Sequence, residues 1–171
     1  MTEAAAVAAF LELEGPLHDP LLLGDAAIAI PRLQEAIARC ERIAVHGDYD
    51  ADGVCATALL CEGLTALGAD ARPFIPSRFE EGYGLAVETV ERLHADGIGL
   101  VITVDCGVTA VEAAQRAAEL GLGLVITDHH RHGDVLPACP IVAPAVRGTY
   151  PFDGLCGAGT AYKLLEALCE G

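Results

Sequence analysis

Residues 44–54 read AVHGDYDADGV, an apolar run that gives way to His46, Asp48, Asp50 and Asp52. The pattern recurs twice. GLVITVDCG ends at Asp105, and GLVITDHH ends at Asp128, His129 and His130. In open parallel sheets the ligand crevice lies at the carboxyl ends of the strands. If these three runs are neighbouring strands, their polar ends converge on one edge. Carboxylates brought that close repel, and some must protonate unless cations are present. Carboxylates with a few imidazoles and no thiolate suit Mn²⁺ or Mg²⁺, with Zn²⁺, Co²⁺ and Fe²⁺ as alternatives. More than three carboxylates suggests two ions, about 3.5–4 Å apart in the sites that hydrolyse phosphoesters.

Taken singly, each residue has a plainer reading. An Asp after a strand is usually a turn former or a helix N-cap. Asp52-Gly53 and Asp105-Cys106-Gly107 both fit that description. The repetition of acids at three strand ends is what independent turn caps do not explain. His18, His94 and His132 are assigned to solvent. The sequence contains no GxSxG for a serine hydrolase and no GxxxxGK[ST] for a P-loop. GAGTAY places Gly157 and Gly159 before a helix. That pair either cradles a phosphate on the helix N-terminus or lets the helix pack on the sheet.

The elements that position these residues follow from hydrophobic periodicity. AAIAIPRLQEAIARCER is helical, with Pro31 best placed near a helix start. GVCATALLCEGLTALG is a helix ended by Gly68, GLAVETVERLHADG is a helix, and TAVEAAQRAAELG is a helix with Thr109 as its N-cap. ARPFIP and CPIVAP are short strands, and GAGTAYKLLEALCE is a closing helix. The strands are continuously apolar and alternate with helices. The fold class is therefore α/β, a Rossmann-like parallel β-sheet with helices on both faces. An N-terminal helical segment is expected over 1–41 and a catalytic domain over 42–171.

With 171 residues the chain is long enough for one domain with a real core. Its net charge of −15 argues against a basic nucleic-acid surface, unless bound cations supply the positive charge. Seven scattered cysteines without a CxxC read as reduced, buried thiols and not as a zinc site. No membrane span and no signal peptide are read from the sequence, so the expected location is cytoplasmic.

HGDYDADG, VDCG and DHH, in this order, resemble the motifs of the DHH phosphoesterase superfamily. The flanking stretches DPLLLGDAAIAIPRLQEAIARCERIAVHGDYDADGVCATALL, FIPSRFEEGYGL and LCGAGTAYKLLEAL resemble its RecJ branch, single-strand-specific 5′→3′ DNA exonucleases. The resemblance runs from about residue 15 onward. It implies that His46 and Asp50 ligate one metal, that Asp52 and His129 ligate the other, and that Asp105 bridges them. It places Asp48 and Asp128 in support of those ligands, with His130 facing the scissile phosphate. Arg78 would grip a phosphate, and a bridging hydroxide would attack phosphorus.

The implied cofactors are two Mn²⁺ or Mg²⁺ ions. The implied partners are single-stranded nucleic acid, DNA above all, and replication or repair proteins. The family's fourth-motif aspartate and its later domains do not lie within these residues, and Asp134 and Asp153 do not match that aspartate. The expectation is an amino-terminal part of a longer protein. Two other functions stay open. One is a related phosphoesterase acting on oligoribonucleotides, cyclic dinucleotides or pyrophosphate. The other is a catalytically silent scaffold.

Overall fold

The structure is a computed structural model that describes residues 17–77 and 84–170. Arg78 lies outside the described residues. Five strands form one parallel sheet: β1 (Arg42–Gly47), β2 (Asp70–Phe74), β3 (Leu100–Val104), β4 (Gly123–Thr127) and β5 (Ile141–Val142). Their order is β2-β1-β3-β4-β5. β3 is buried at every position, as a strand covered on both faces must be.

Five α-helices supply that cover: α1 (Ala26–Ala38), α2 (Ala51–Ala66), α3 (Val87–Ala95), α4 (Val111–Leu120) and α5 (Gly157–Glu170). The pleat sends alternate strand residues to opposite faces. Val45, Ile102 and Val125 join Leu33 of α1, Leu60 of α2 and Leu164 of α5 in one core. Ala44, Val101 and Ile126 join Val90 of α3 and Ala114 of α4 in the other. The expected α/β class, with a parallel sheet and helices on both faces, is what forms.

Both sheet edges are protected. β2 is an edge strand, where the missing N–H of Pro73 breaks no interior ladder. At β5 the Asp25 N–H donates to the Ile141 carbonyl at 2.8 Å, and the Asp25 carboxylate accepts from the Ile141 N–H at 3.1 Å. A single 3₁₀ turn, Pro20–Leu22, precedes this contact.

Three local expectations change. Pro31 lies inside α1, not near its start. The carbonyl it leaves without a donor is that of Ala27, which is exposed and open to water. α4 begins after Ala110 with no side-chain cap, so Thr109 is not its N-cap. Among the cysteines, Cys106 is buried, but Cys40, Cys55, Cys156 and Cys169 are exposed. Among the described residues no helix is long and apolar enough to cross a membrane.

The junction from β1 into α2 is unusually tight. A Cβ on Gly47 would lie 1.9 Å from Thr57 Oγ1, and one on Gly53 would lie 2.5 Å from the Asp48 carbonyl oxygen. Gly53 thus serves close approach inside the first turn of α2 more than it serves a turn in the chain. Gly53→Ala should destabilise the fold by about 3 kcal/mol through this backbone clash. Gly133→Ala, where a Cβ meets nothing within 4 Å, should be close to neutral. Thermal unfolding of the two variants checks the difference.

Candidate metal centre

β1, β3 and β4 are adjacent and parallel, so all three polar ends reach the same edge. The strand order reverses between β1 and β3, and such a switch point opens a crevice. Asp48, Asp50 and Asp52 enter it after β1, Asp105 after β3, and Asp128, His129 and His130 after β4. Two groups of side chains have ligand atoms within 4.8 Å of one another: Asp105 with His129 and His130, and Asp48 with Asp50 and Asp105. Asp105 belongs to both.

Most of the acids are held by backbone N–H groups. Asp50 is the N-cap of α2, accepting from the Gly53 N–H at 2.9 Å. Asp48 accepts from the Tyr49 N–H at 2.7 Å. Asp128 is buried and accepts from the N–H groups of Val108, His129 and His130. Its Oδ1 also lies 2.8 Å from His130 Nδ1. Asp52 accepts from the Gly157 and Ala158 N–H groups at 2.6 and 2.8 Å. Burial pushes the Asp52 carboxyl up. The Ala158 and Gly157 bonds, with the Cys156 thiol and His129, outweigh that and hold it below the usual carboxylate range.

Asp105 is treated differently. It is 1% exposed, its φ is +62°, and its Oδ1 accepts no hydrogen bond among the described residues. His129 Nε2 lies 3.0 Å from that oxygen without the alignment of a hydrogen bond. Left-handed backbone at a non-glycine residue is sparse and costs about 1 kcal/mol or more. Burial, then the charges of Asp52 and Asp50, raise the Asp105 carboxyl to about 7. Gly157 makes the burial possible, because a Cβ there would lie 2.5 Å from Asp105 Oδ1. A buried, unsatisfied carboxylate oxygen facing acids and imidazoles is the donor set a hard divalent cation fits. Burial and the surrounding carboxylates push the Cys106 thiol well up, and its sulfur belongs to neither ligand group.

Several expected roles shift. His46 is fully buried but belongs to neither ligand group. Its ring stacks on Phe74 at 5.3 Å, and its Nδ1 is 3.5 Å from Cys106 Sγ. Asp48, which the resemblance places in support of the ligands, has a carboxylate oxygen within reach of Asp50 and Asp105 in the second group. The first-turn N–H groups of α5, a possible phosphate cradle at Gly157 and Gly159, are already used. Gly157 donates to Asp52, and the Gly159 N–H contacts Cys156 Sγ at 3.3 Å. Ala158 and Cys156, both partners of Asp52, lie in the LCGAGTAYKLLEAL stretch, but nothing in their residue types points to a carboxylate so distant in sequence.

Comparison with known proteins places these motifs. The DHH family, N-terminal domain, matches residues 42–170. The chain is 43% identical over 157 residues to the single-stranded-DNA-specific exonuclease RecJ of Bacillus subtilis, covering 91% of this chain and 20% of that protein. It is 46% identical over 138 residues to RecJ of Thermus thermophilus, covering 81% of this chain and 20% of that one. A crystal structure of exonuclease RecJ bound to manganese matches with a TM-score of 0.83 at 44% identity, over 91% of this chain and 40% of that chain. The chain therefore spans about a fifth of the length of these curated relatives.

The raised Asp105 carboxyl gives a signed expectation. In the metal-free protein the folded state holds a proton on Asp105 up to about pH 7, whereas an unfolded carboxyl loses it near 3.8. The Asp105 contribution to stability therefore falls as pH rises from about 4 to 7. Asp105→Asn removes the charge and tolerates left-handed backbone. At pH 8 it should stabilise the metal-free protein by on the order of 1 kcal/mol, and it should abolish any rise in Tm on adding Mn²⁺. Thermal unfolding at pH 5 and pH 8, with and without Mn²⁺, reads both effects.

Proposed function

The chain belongs to the DHH family, and we propose that its strand-end cluster is the two-cation centre of a RecJ-like exonuclease hydrolysing phosphodiester bonds of single-stranded DNA. The observation that carries this reading is Asp105, shared by both ligand groups and buried with an unsatisfied oxygen. The single-strand specificity rests on the RecJ relatives.

Asp105 would be the shared ligand, with Asp50 and Asp48 on one side and His129 and Asp52 on the other. Mn²⁺ or Mg²⁺ held there would neutralise phosphoryl oxygens and make water a nucleophile at neutral pH. The protein's own part is positioning. Asp128 fixes the His130 ring through Nδ1, directing that side chain toward the substrate phosphate. Burial lowers the pKa of His130, but the Asp128 bond and the nearby charges of Asp128, Asp105 and Asp48 more than offset it, and the net shift is upward. Arg78 is assigned to grip a phosphate bidentately. Residues 42–171 are the catalytic unit on this reading, preceded by an N-terminal segment, 1–41, of which residues 18–25 brace it. Replication or repair proteins are its partners, and its compartment is the cytoplasm.

The test begins with the metal. Titration with Mn²⁺, followed by loss of the free-ion paramagnetic resonance signal, should show binding. Asp50→Ala and His129→Ala should each weaken it by roughly tenfold or more. With Mn²⁺, the chain should release mononucleotides from a single-stranded oligodeoxynucleotide, and Asp105→Ala should not. A chain that binds no Mn²⁺, or whose hydrolysis survives Asp105→Ala, would refute the reading.

A further inference from the structure

We infer that Thr103 is a positioning residue for Asp105: its buried hydroxyl holds the turn after β3 in the conformation that aims the unsatisfied Asp105 oxygen into the cluster. The inference rests on the metal-centre reading above. It adds how the fold directs a ligand whose own carboxylate oxygen has no donor.

Asp48, Asp50, Asp52 and Asp128 are each oriented by donors to the carboxylate. Asp105 Oδ1 accepts no hydrogen bond among the described residues. Its direction must come from the main chain, where φ at Asp105 is +62°. That conformation is sparse for a residue with a side chain and persists only where the surroundings impose it. Thr103 supplies a restraint at the right place. Its Oγ1 donates to the Cys106 carbonyl at 2.8 Å, across a turn that contains Asp105. Gly107 follows at φ +106°, and a Cβ there would lie 2.8 Å from Thr103 Oγ1. Turn and hydroxyl are packed against each other, and glycine leaves the room for it.

The bond belongs to a closed ring. The Thr127 hydroxyl donates to the Thr103 carbonyl at 2.8 Å. The Val108 N–H donates to Asp128 Oδ2 at 2.9 Å, and Asp128 follows Thr127 in the chain. The stretch from Thr103 to Val108 is thus pinned to the end of β4 at both of its ends, and Thr103 draws in its middle. Both threonines are fully buried, where a hydroxyl needs a partner. The sequence carries the signal. GLVITVD and GLVITD each place a threonine ahead of the acid in a run that is otherwise apolar. On the β1 side the same turn is held by sulfur, with Cys106 Sγ 3.5 Å from His46 Nδ1. Sulfur makes weak hydrogen bonds, so the Thr103 hydroxyl is the stronger of the two side-chain restraints on Cys106.

The test compares Thr103→Val, which keeps the branched shape and removes the donor, with Thr103→Ser, which keeps the hydroxyl. Mn²⁺ titration read by paramagnetic resonance should show affinity weakened about tenfold or more in Thr103→Val. Both ions should be affected together, because Asp105 serves both ligand groups. Thr103→Ser should bind Mn²⁺ like the wild type. In the metal-free chains the coupling between the amide and α protons of Asp105, which reports φ, should change in Thr103→Val and not in Thr103→Ser. A hydroxyl that only stabilised the fold would lower Tm and leave both readings alone. Wild-type Mn²⁺ affinity in a folded Thr103→Val chain therefore overturns the positioning role alone. So does an unaltered Asp105 coupling in that chain, or an equal loss of affinity in Thr103→Ser. Should Thr103→Val not fold, Thr127→Val decides, since it removes the outer bond of the ring. It should weaken Mn²⁺ about threefold, and unaltered affinity there overturns the role. A wild-type chain that binds no Mn²⁺ overturns the metal-centre reading, and the positioning role with it.

Discussion

The structure turns on how negative charge is held at one edge of a parallel sheet. β1, β3 and β4 deliver five aspartates there, and their hydrogen-bond donors are chiefly backbone N–H groups. The first turn of α2 serves Asp50, and the first turn of α5 serves Asp52. The loop before α4 and the DHH turn itself serve Asp128. These donors are fixed by the fold and cannot follow a charge that moves. The centre is preorganised to hold anions apart, and the bonds to Asp52 hold its carboxyl below the usual carboxylate range. Asp105 Oδ1 stands outside that arrangement. Its burial and its neighbours' charges raise its pKa to about 7, so a proton or a cation must neutralise it at physiological pH.

That constraint reaches to elements far from the edge. Asp105 is buried only because α5 comes close enough for Gly157 to cover it. α5 is in turn seated on α2 and held by its own Lys163, which is buried. Lys163 Nζ donates to the His18 carbonyl at 2.6 Å and pairs with Glu166. The same N-terminal segment is fastened at its other end through Asp25, to β5 and to Arg147 at 2.9 Å. Residues 18–25 therefore tie the sheet edge to the helix whose first turn binds Asp52. A segment with no ligand of its own helps set the distance between two acids of the centre.

Much of this was legible in the sequence because continuous apolar runs and acidic strand ends are local signals. Runs such as GLVITVD can only be strands covered on both faces. Three such runs ending in acids imply one shared edge, whatever the order of the strands. The role of His46 was not legible. Strand periodicity places it correctly on β1 but cannot show that Phe74 and Cys106 enclose its ring. The approach of Asp48 to Asp50 and Asp105 was not legible for a related reason. Period-two alternation holds only while the chain is extended, and here it stops at Gly47. The partners of Asp52 were invisible because they are main-chain N–H groups more than 100 residues away. Thr109 and Pro31 show propensity yielding to packing. The β3–α4 connection is set by Asp105 and Gly107, both at positive φ, and not by a capping hydroxyl.

The acidic balance becomes a functional constraint once the centre is placed. A net charge of −15 would seem to oppose a polyanionic substrate. At physiological ionic strength, though, charges beyond about 8 Å are largely screened. What a phosphate meets is therefore the local charge at the sheet edge. On the reading proposed above, that local charge depends on the cations. Without them, Asp48, Asp50 and Asp52 confront an incoming phosphodiester with like charge. With two divalent ions the same edge is close to neutral, and Arg131, which follows the DHH motif, then favours the anion. Substrate affinity is thereby conditional on metal, and the order of binding follows from Coulomb's law without any conformational switch. The acids that look like an obstacle to binding nucleic acid are what make binding wait until the centre can act.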